Sequence, residues 1–255
     1  MNKDRASALA MELKGESVDK WTICDLIDSG KTAAVFAAKN GVQDAALKVF
    51  DSELVDRYGK HTQLNRIARE LSLADHRHPN LVEIYDGGEC RRTGLLYVAM
   101  ERIDAPSLAL VLEKIARSRI RDIIRDVASA ARFLETLNIA HRDIKPANIA
   151  VTDEKAVLLD LGVIRAISNP GGTDDDDARK FVGTLQYSPP EFLLRTEEDS
   201  IDGWRAVTFY QMGAVLHDLI ERKTIFSDAL DPYARLVNAV QQESPTLLRP
   251  TYLRI

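Results

Sequence analysis

The spacing of apolar residues divides this chain into two unlike halves. Residues 21–27, 32–38 and 45–50 are rich in β-branched and apolar residues, with Gly30 and the Asn40-Gly41 pair as turn signals, so they predict consecutive strands and a hairpin. Residues 54–74 carry helical spacing and predict one or two helices, after which 81–85 and 95–100 return to strand character. Beyond residue 107 the period changes. Leu108, Val111, Leu112 and Ile115, then Ile120, Ile123, Ile124, Val127, Ala131 and Leu134, repeat at helical spacing. Two short apolar runs, 149–151 and 157–159, predict a small strand pair within this helical half. The expected class is α+β, a β-rich half with one main helical region followed by a mainly helical half.

Composition narrows the class without naming a function. The 255 residues are 45% hydrophobic and 29% charged, which suits a folded globular chain. A formal net charge of −5 gives no global reason to expect nucleic acid or an anionic membrane as partner. Cys24 and Cys90 are far apart, with neither disulfide-framework nor zinc spacing, and fit a reducing cytoplasm. The start of the chain lacks a signal-peptide pattern, and the apolar segments 156–167 and 208–220 are too short and too interrupted by polar residues to span a bilayer.

The chemistry concentrates in one stretch. His141-Arg142-Asp143-Ile144-Lys145-Pro146-Ala147-Asn148 is followed twelve residues after Asn148 by Asp160-Leu161-Gly162. Two carboxylates, an amide oxygen and an ammonium on short loops can hold Mg²⁺ and orient a hydroxyl nucleophile for phosphoryl transfer. Upstream, Lys48 lies in Ala46-Leu47-Lys48-Val49, where a charge within an apolar strand calls for a partner. Downstream, Gly183-Thr184 precedes Tyr187-Ser188-Pro189-Pro190-Glu191.

These motifs resemble those of the protein kinase superfamily, in particular its bacterial-type, Hanks-like serine/threonine branch, over roughly residues 21–226. The resemblance implies a two-lobed fold: an extension over 1–20, a small β-rich lobe over 21–102 and a helical lobe over 103–255 that is short at its C-terminal end. It implies ATP and Mg²⁺ as cofactors and protein serine or threonine hydroxyls as substrates, with the chemistry where the lobes meet. Asp143 would orient the hydroxyl, Lys145 would neutralise the transferring phosphate, and Asn148 and Asp160 would hold the metal. Lys48 would contact the α- and β-phosphates, paired with Glu70 or, as a fallback, Glu53. Gly30, Val35 and Ala46 would line the nucleotide, and Met100, Glu101 and Ile103 would form the adenine-binding connection. Ser168, Thr173 and Thr184 would be candidate phosphosites, while the four aspartates 174–177 read either as a solvated loop or as a partial phosphate mimic for Arg142.

Three departures from the family pattern stand out, and a competing motif fails. Only the middle glycine of the glycine-rich loop survives, at Gly30, and Asp28 adds a negative charge there. The Gly30-Lys31-Thr32 sequence lacks the earlier glycine of a P-loop, which would fall at Asp25. The aspartate that anchors the catalytic loop is replaced in register by Thr208, with Asp202 as the other candidate. Arg249-Pro250-Thr251 is too close to be the late motif whose arginine pairs with Glu191. The alternatives to an active kinase are a nucleotide-binding scaffold of pseudokinase type and a small-molecule kinase of related fold. Lys145-Pro146 and the 183–191 segment favour protein substrates, and further domains beyond residue 255 are compatible with this reading.

Overall fold

A computed structural model describes residues 3–30, 32–162, 164–166, 184–231 and 233–245. The chain forms two compact units, residues 1–77 with 82–104, and residues 78–81 with 105–255. Ser168, Thr173, the aspartates 174–177, Gly183 and Arg249-Pro250-Thr251 lie outside the described residues, as does Lys31.

The first unit is built on a six-stranded antiparallel sheet. Helix α1 (Lys3–Leu13) leads into β1 (Ser17–Val18), β2 (Trp21–Ser29), β3 (Ala33–Asn40) and β4 (Gln43–Phe50). Helices α2 (Ser52–Tyr58) and α3 (Lys60–Leu71) follow, then β5 (Ile84–Glu89) and β6 (Leu96–Met100), in the sheet order β1-β2-β3-β4-β6-β5. Asn40 pairs with Gln43 across a two-residue turn in which Gly41 has φ +61°, the left-handed geometry that the Asn-Gly signal anticipates. Asp51 caps α2 by accepting the Glu53 amide N–H at 3.1 Å.

Strand alternation gives this sheet two different faces. On one, Ala34, Phe36 and Ala38 of β3 meet Ala45, Leu47 and Val49 of β4 and Tyr97 and Ala99 of β6, forming a buried cluster with Trp21 and Ile23. Leu9 and Leu13 of α1 belong to the same cluster, so the mixed-polarity N-terminal helix covers apolar sheet surface. The other face carries the row Val35, Lys48, Val98, Gly87, each residue paired with the next. A methyl group on Gly87 would approach Ile67 Cγ2 at 3.3 Å and Leu71 Cδ2 at 3.4 Å, which places α3 against this face.

That close approach also explains an offset from the sequence expectation. The strand expected at 81–85 runs instead from Ile84 to Glu89 and includes Gly87 and Gly88, residues that ordinarily weaken a strand. Here the missing side chain at Gly87 is what admits the helix. Leu81 forms an isolated bridge to Leu158 instead.

The second unit is mainly helical. It contains α4 (Leu108–Val111), α5 (Ile120–Thr136), α6 (Pro190–Leu194), α7 (Ile201–Glu221) and α8 (Tyr233–Gln242). Two short ladders frame its loops: β7 (Ile139–Ala140) pairs with β10 (Arg165–Ala166), and β8 (Ile149–Val151) with β9 (Ala156–Leu158). The apolar residues of α5 at 120, 123, 127, 130 and 134 are buried, as their spacing requires. No helix among the described residues is long and apolar enough to cross a membrane.

Candidate active site

The loop between β7 and β8 brings Asp143, Lys145 and Asn148 together. Lys145 Nζ donates to Asp143 Oδ2 at 2.7 Å and to Thr184 Oγ1 at 2.7 Å. Asn148 Nδ2 donates to the Asp143 carbonyl at 2.9 Å and to Asp143 Oδ2 at 3.0 Å. Oδ2 is therefore held by a cation and an amide. The other carboxylate oxygen, Asp143 Oδ1, is buried with no hydrogen-bond partner among the described residues. A buried acceptor left open costs stability unless a ligand completes it, so its position marks where a donor should arrive.

His141 joins this loop to the one bearing Asp160. Its Nε2 lies 3.0 Å from the Leu159 carbonyl, and its Nδ1 accepts the Asp143 amide N–H at 3.3 Å. A carbonyl can only accept, so Nε2 carries the proton and Nδ1 is the acceptor, the neutral tautomer. Burial pushes the His141 pKa below its ordinary 6.5, which agrees with that assignment. The Leu159 amide in turn donates to the Asn148 carbonyl at 2.8 Å. Asp160 follows with φ +57°, and Arg142 has φ +68°. Such left-handed geometry costs about 1–3 kcal/mol for a residue other than glycine and persists only where surrounding contacts fix it.

The loop's anchor is neither of the residues that the sequence register suggests. Thr208 Oγ1 donates to Trp204 O of its own helix at 3.0 Å, and Asp202 is 86% exposed and pairs with Arg205 at 2.6 Å. The contact comes from Gln211, one turn further along α7, whose amide bonds the backbone on both sides of Asp143: Nε2 donates to Arg142 O at 2.8 Å, and Oε1 accepts from Ile144 N at 3.1 Å. Gln211 was legible only as a polar residue in an apolar helical stretch. The Arg142 guanidinium sits over the Trp204 ring, 5.8 Å from its centroid.

In the first unit the candidate nucleotide residues share one sheet face. Val35 pairs with Lys48, and Ala46 pairs with Met100. These positions alternate with the α1-covered core positions, so Val35, Ala46, Lys48 and Met100 lie on the face that α3 also packs against. Glu70 is a buried residue of α3, at 1% exposure, whereas Glu53 lies in the first turn of α2. A carboxylate buried so fully requires a cation or donors. The chain after Met100 leaves the sheet; the Glu101 N–H donates to Glu83 O at 2.8 Å, and Ile103 is half-buried. Gly30 closes the β2–β3 connection by donating its N–H to Ala33 O at 2.8 Å.

Residues 21–248 match the protein kinase domain family. The chain belongs to the protein kinase superfamily. Among curated relatives, it is 29% identical to serine/threonine-protein kinase PknB of Mycobacterium tuberculosis over 217 residues, 82% of this chain and 33% of that protein. It is 27% identical to a probable serine/threonine-protein kinase of Corynebacterium efficiens over 233 residues, 88% of this chain and 34% of that one. Mitogen-activated protein kinase 15 of Caenorhabditis elegans is 25% identical over 247 residues, 91% of this chain and 49% of the nematode protein. The chain thus spans about a third of the bacterial relatives' length.

Proposed function

We propose that this chain is an ATP- and Mg²⁺-dependent serine/threonine protein kinase, and that it autophosphorylates. The observation that carries the proposal is the state of the Asp143 carboxylate, with one oxygen fixed by Lys145 and Asn148 and the other buried with no hydrogen-bond partner among the described residues. A substrate hydroxyl donating to Oδ1 would have its oxygen oriented and its proton drawn off as the bond to phosphorus forms. Lys145, already beside Asp143 Oδ2, supplies positive charge where the transferring phosphoryl group gains negative charge. Its second contact, to Thr184, supports a hydroxyl-bearing serine or threonine substrate segment.

The donor set suits magnesium. Asn148 commits its N–H groups to Asp143, which leaves its amide oxygen as the atom offered to a cation, and Asp160 supplies a carboxylate. When bound, Mg²⁺ would neutralise phosphate charge. In the first unit, Lys48 would hold the α- and β-phosphates with Glu70 as its partner, Gly30 would lie along the phosphates, Val35 and Ala46 would cover the base, and Met100, Glu101 and Ile103 would meet its edge. Two free cysteines and dependence on ATP support a cytoplasmic location.

The test uses peptides identical except for a central Ser, Thr or Tyr, incubated with γ-labelled ATP and Mg²⁺. Label on the Ser and Thr peptides, and on Ser168, Thr173 or Thr184 of the chain itself, is the expected result. Label on tyrosine alone, or none on any protein or peptide, would overturn the assignment.

A further inference from the structure

We propose that Gln211 is a positioning residue for phosphoryl transfer, acting as a neutral amide clamp that fixes the backbone of Asp143. This deepens the kinase reading above and rests on it. The Arg142 carbonyl belongs to the peptide plane before Asp143, and the Ile144 N–H to the plane after it. Gln211 binds one group from each, at 2.8 and 3.1 Å. Rotation about φ or ψ of Asp143 turns one plane against the other and breaks one of these bonds. The clamp also bears on Arg142, whose φ of +68° needs contacts to hold it.

The chemistry at position 211 is demanding. The backbone presents one acceptor and one donor, so the side chain must offer one donor and one acceptor at once, as an amide does. The side chain is fully buried, at 0% exposure, and an amide meets both needs without bringing a charge out of water. The polar assignment is unambiguous, because reversing the amide would set a donor against the Ile144 N–H and an acceptor against the Arg142 carbonyl. Thr208 and Asp202 are engaged within α7 itself and do not share this task.

A carboxyl group at 211 can reproduce the clamp only when protonated. As a carboxylate it still accepts from Ile144, but its second oxygen faces the Arg142 carbonyl and repels it. Ionisable groups on these elements include His141, Arg142, Asp143 and Lys145 on the loop, Asp160 on the adjoining loop, and Tyr210, His217 and Asp218 on α7. Wild type contains all of these, so the ratio of variant to wild-type rate at each pH isolates position 211.

The experiment compares wild type, Gln211→Glu and Gln211→Leu, each confirmed folded by thermal melting. For Gln211→Leu, kcat should fall about 10–100-fold with KM for ATP little changed, the pattern of lost positioning rather than lost binding. For Gln211→Glu, the rate relative to wild type should be low at pH 8 and rise as pH falls toward 6, because burial raises the carboxyl pKa. A kcat for Gln211→Leu within twofold of wild type, or a flat ratio for Gln211→Glu, would overturn the role. Residue-resolved hydrogen exchange reads the clamp independently of activity. The Ile144 amide should exchange faster in Gln211→Leu while the Asn148 amide, bonded to Lys145 O, stays unchanged. Equal Ile144 exchange in both proteins would contradict the clamp, whereas absence of phosphate transfer in wild type would contradict the kinase reading alone.

Discussion

The two units fix their key charged residues by opposite means. Lys48 sits mid-strand, where pairing to Val35 on one side and Val98 on the other sets its position and alternation sets its face. Its neighbours need only be small or apolar, and Ala46, Leu47 and Val49 are. Asp143 sits on an irregular loop between two short strands and is itself outside their ladders. Its geometry depends on specific polar groups from His141, Lys145, Asn148 and Gln211. A strand position is tolerant because its restraint is distributed over backbone hydrogen bonds. A loop position is brittle because each restraint is a single side chain.

Mutations can break or sharpen this contrast. The largest effect belongs to the brittle loop: Asp143→Asn should lower the rate of phosphate transfer about 10²–10⁴-fold, measured with saturating ATP. Lys48→Met should cost about 10²–10³-fold in kcat by removing the proposed phosphate contact, measured with saturating ATP. The tolerant sheet does have one brittle point. Gly87→Ala would place a methyl carbon 2.9 Å from Tyr97 O and against Ile67 and Leu71, so chemical denaturation should show a loss of about 1–3 kcal/mol.

A smaller effect should appear on acidification. Burial keeps the His141 pKa below its ordinary 6.5, so the unfolded chain binds a proton that the folded chain does not. Its contribution is complete above about pH 6.5 and is lost as pH falls toward the lower folded value, at up to about 1.4 kcal/mol per pH unit. Denaturation curves at pH 7.5 and 5.5 should separate in that direction, and His141→Gln should reduce the separation. The smallest effect is expected at the β2–β3 connection. Asp28 lies on its approach and accepts the N–H of its neighbour Ser29 at 2.7 Å, and Asp28→Asn should shift KM for ATP by a factor of about two to five through the lost charge.

The same contrast explains what could be read from the chain. The strands of the first unit and the helices of the second follow from the period of their apolar residues, and the catalytic loop from a motif of side chains with few substitutes. Other features were hidden because tertiary contacts decide them. Helix α1 has no strong apolar stripe, yet Leu9 and Leu13 complete the sheet core. Strand β5 contains two glycines because α3 needs space at Gly87. Gln211 escaped notice because the loop anchor is defined by which carbonyl and N–H it reaches, and a glutamine one turn along the helix reaches both. Register points to Thr208 and residue type to Asp202; only the backbone geometry points to Gln211.

The most direct test of the account is to measure Mg²⁺-ATP binding and phosphate transfer on the same preparations of wild type and Asp143→Asn. The account predicts that both proteins bind nucleotide with similar affinity and that only wild type transfers phosphate to serine or threonine at an appreciable rate. Undiminished transfer by Asp143→Asn would contradict it, because the open carboxylate oxygen would then have no part in the chemistry.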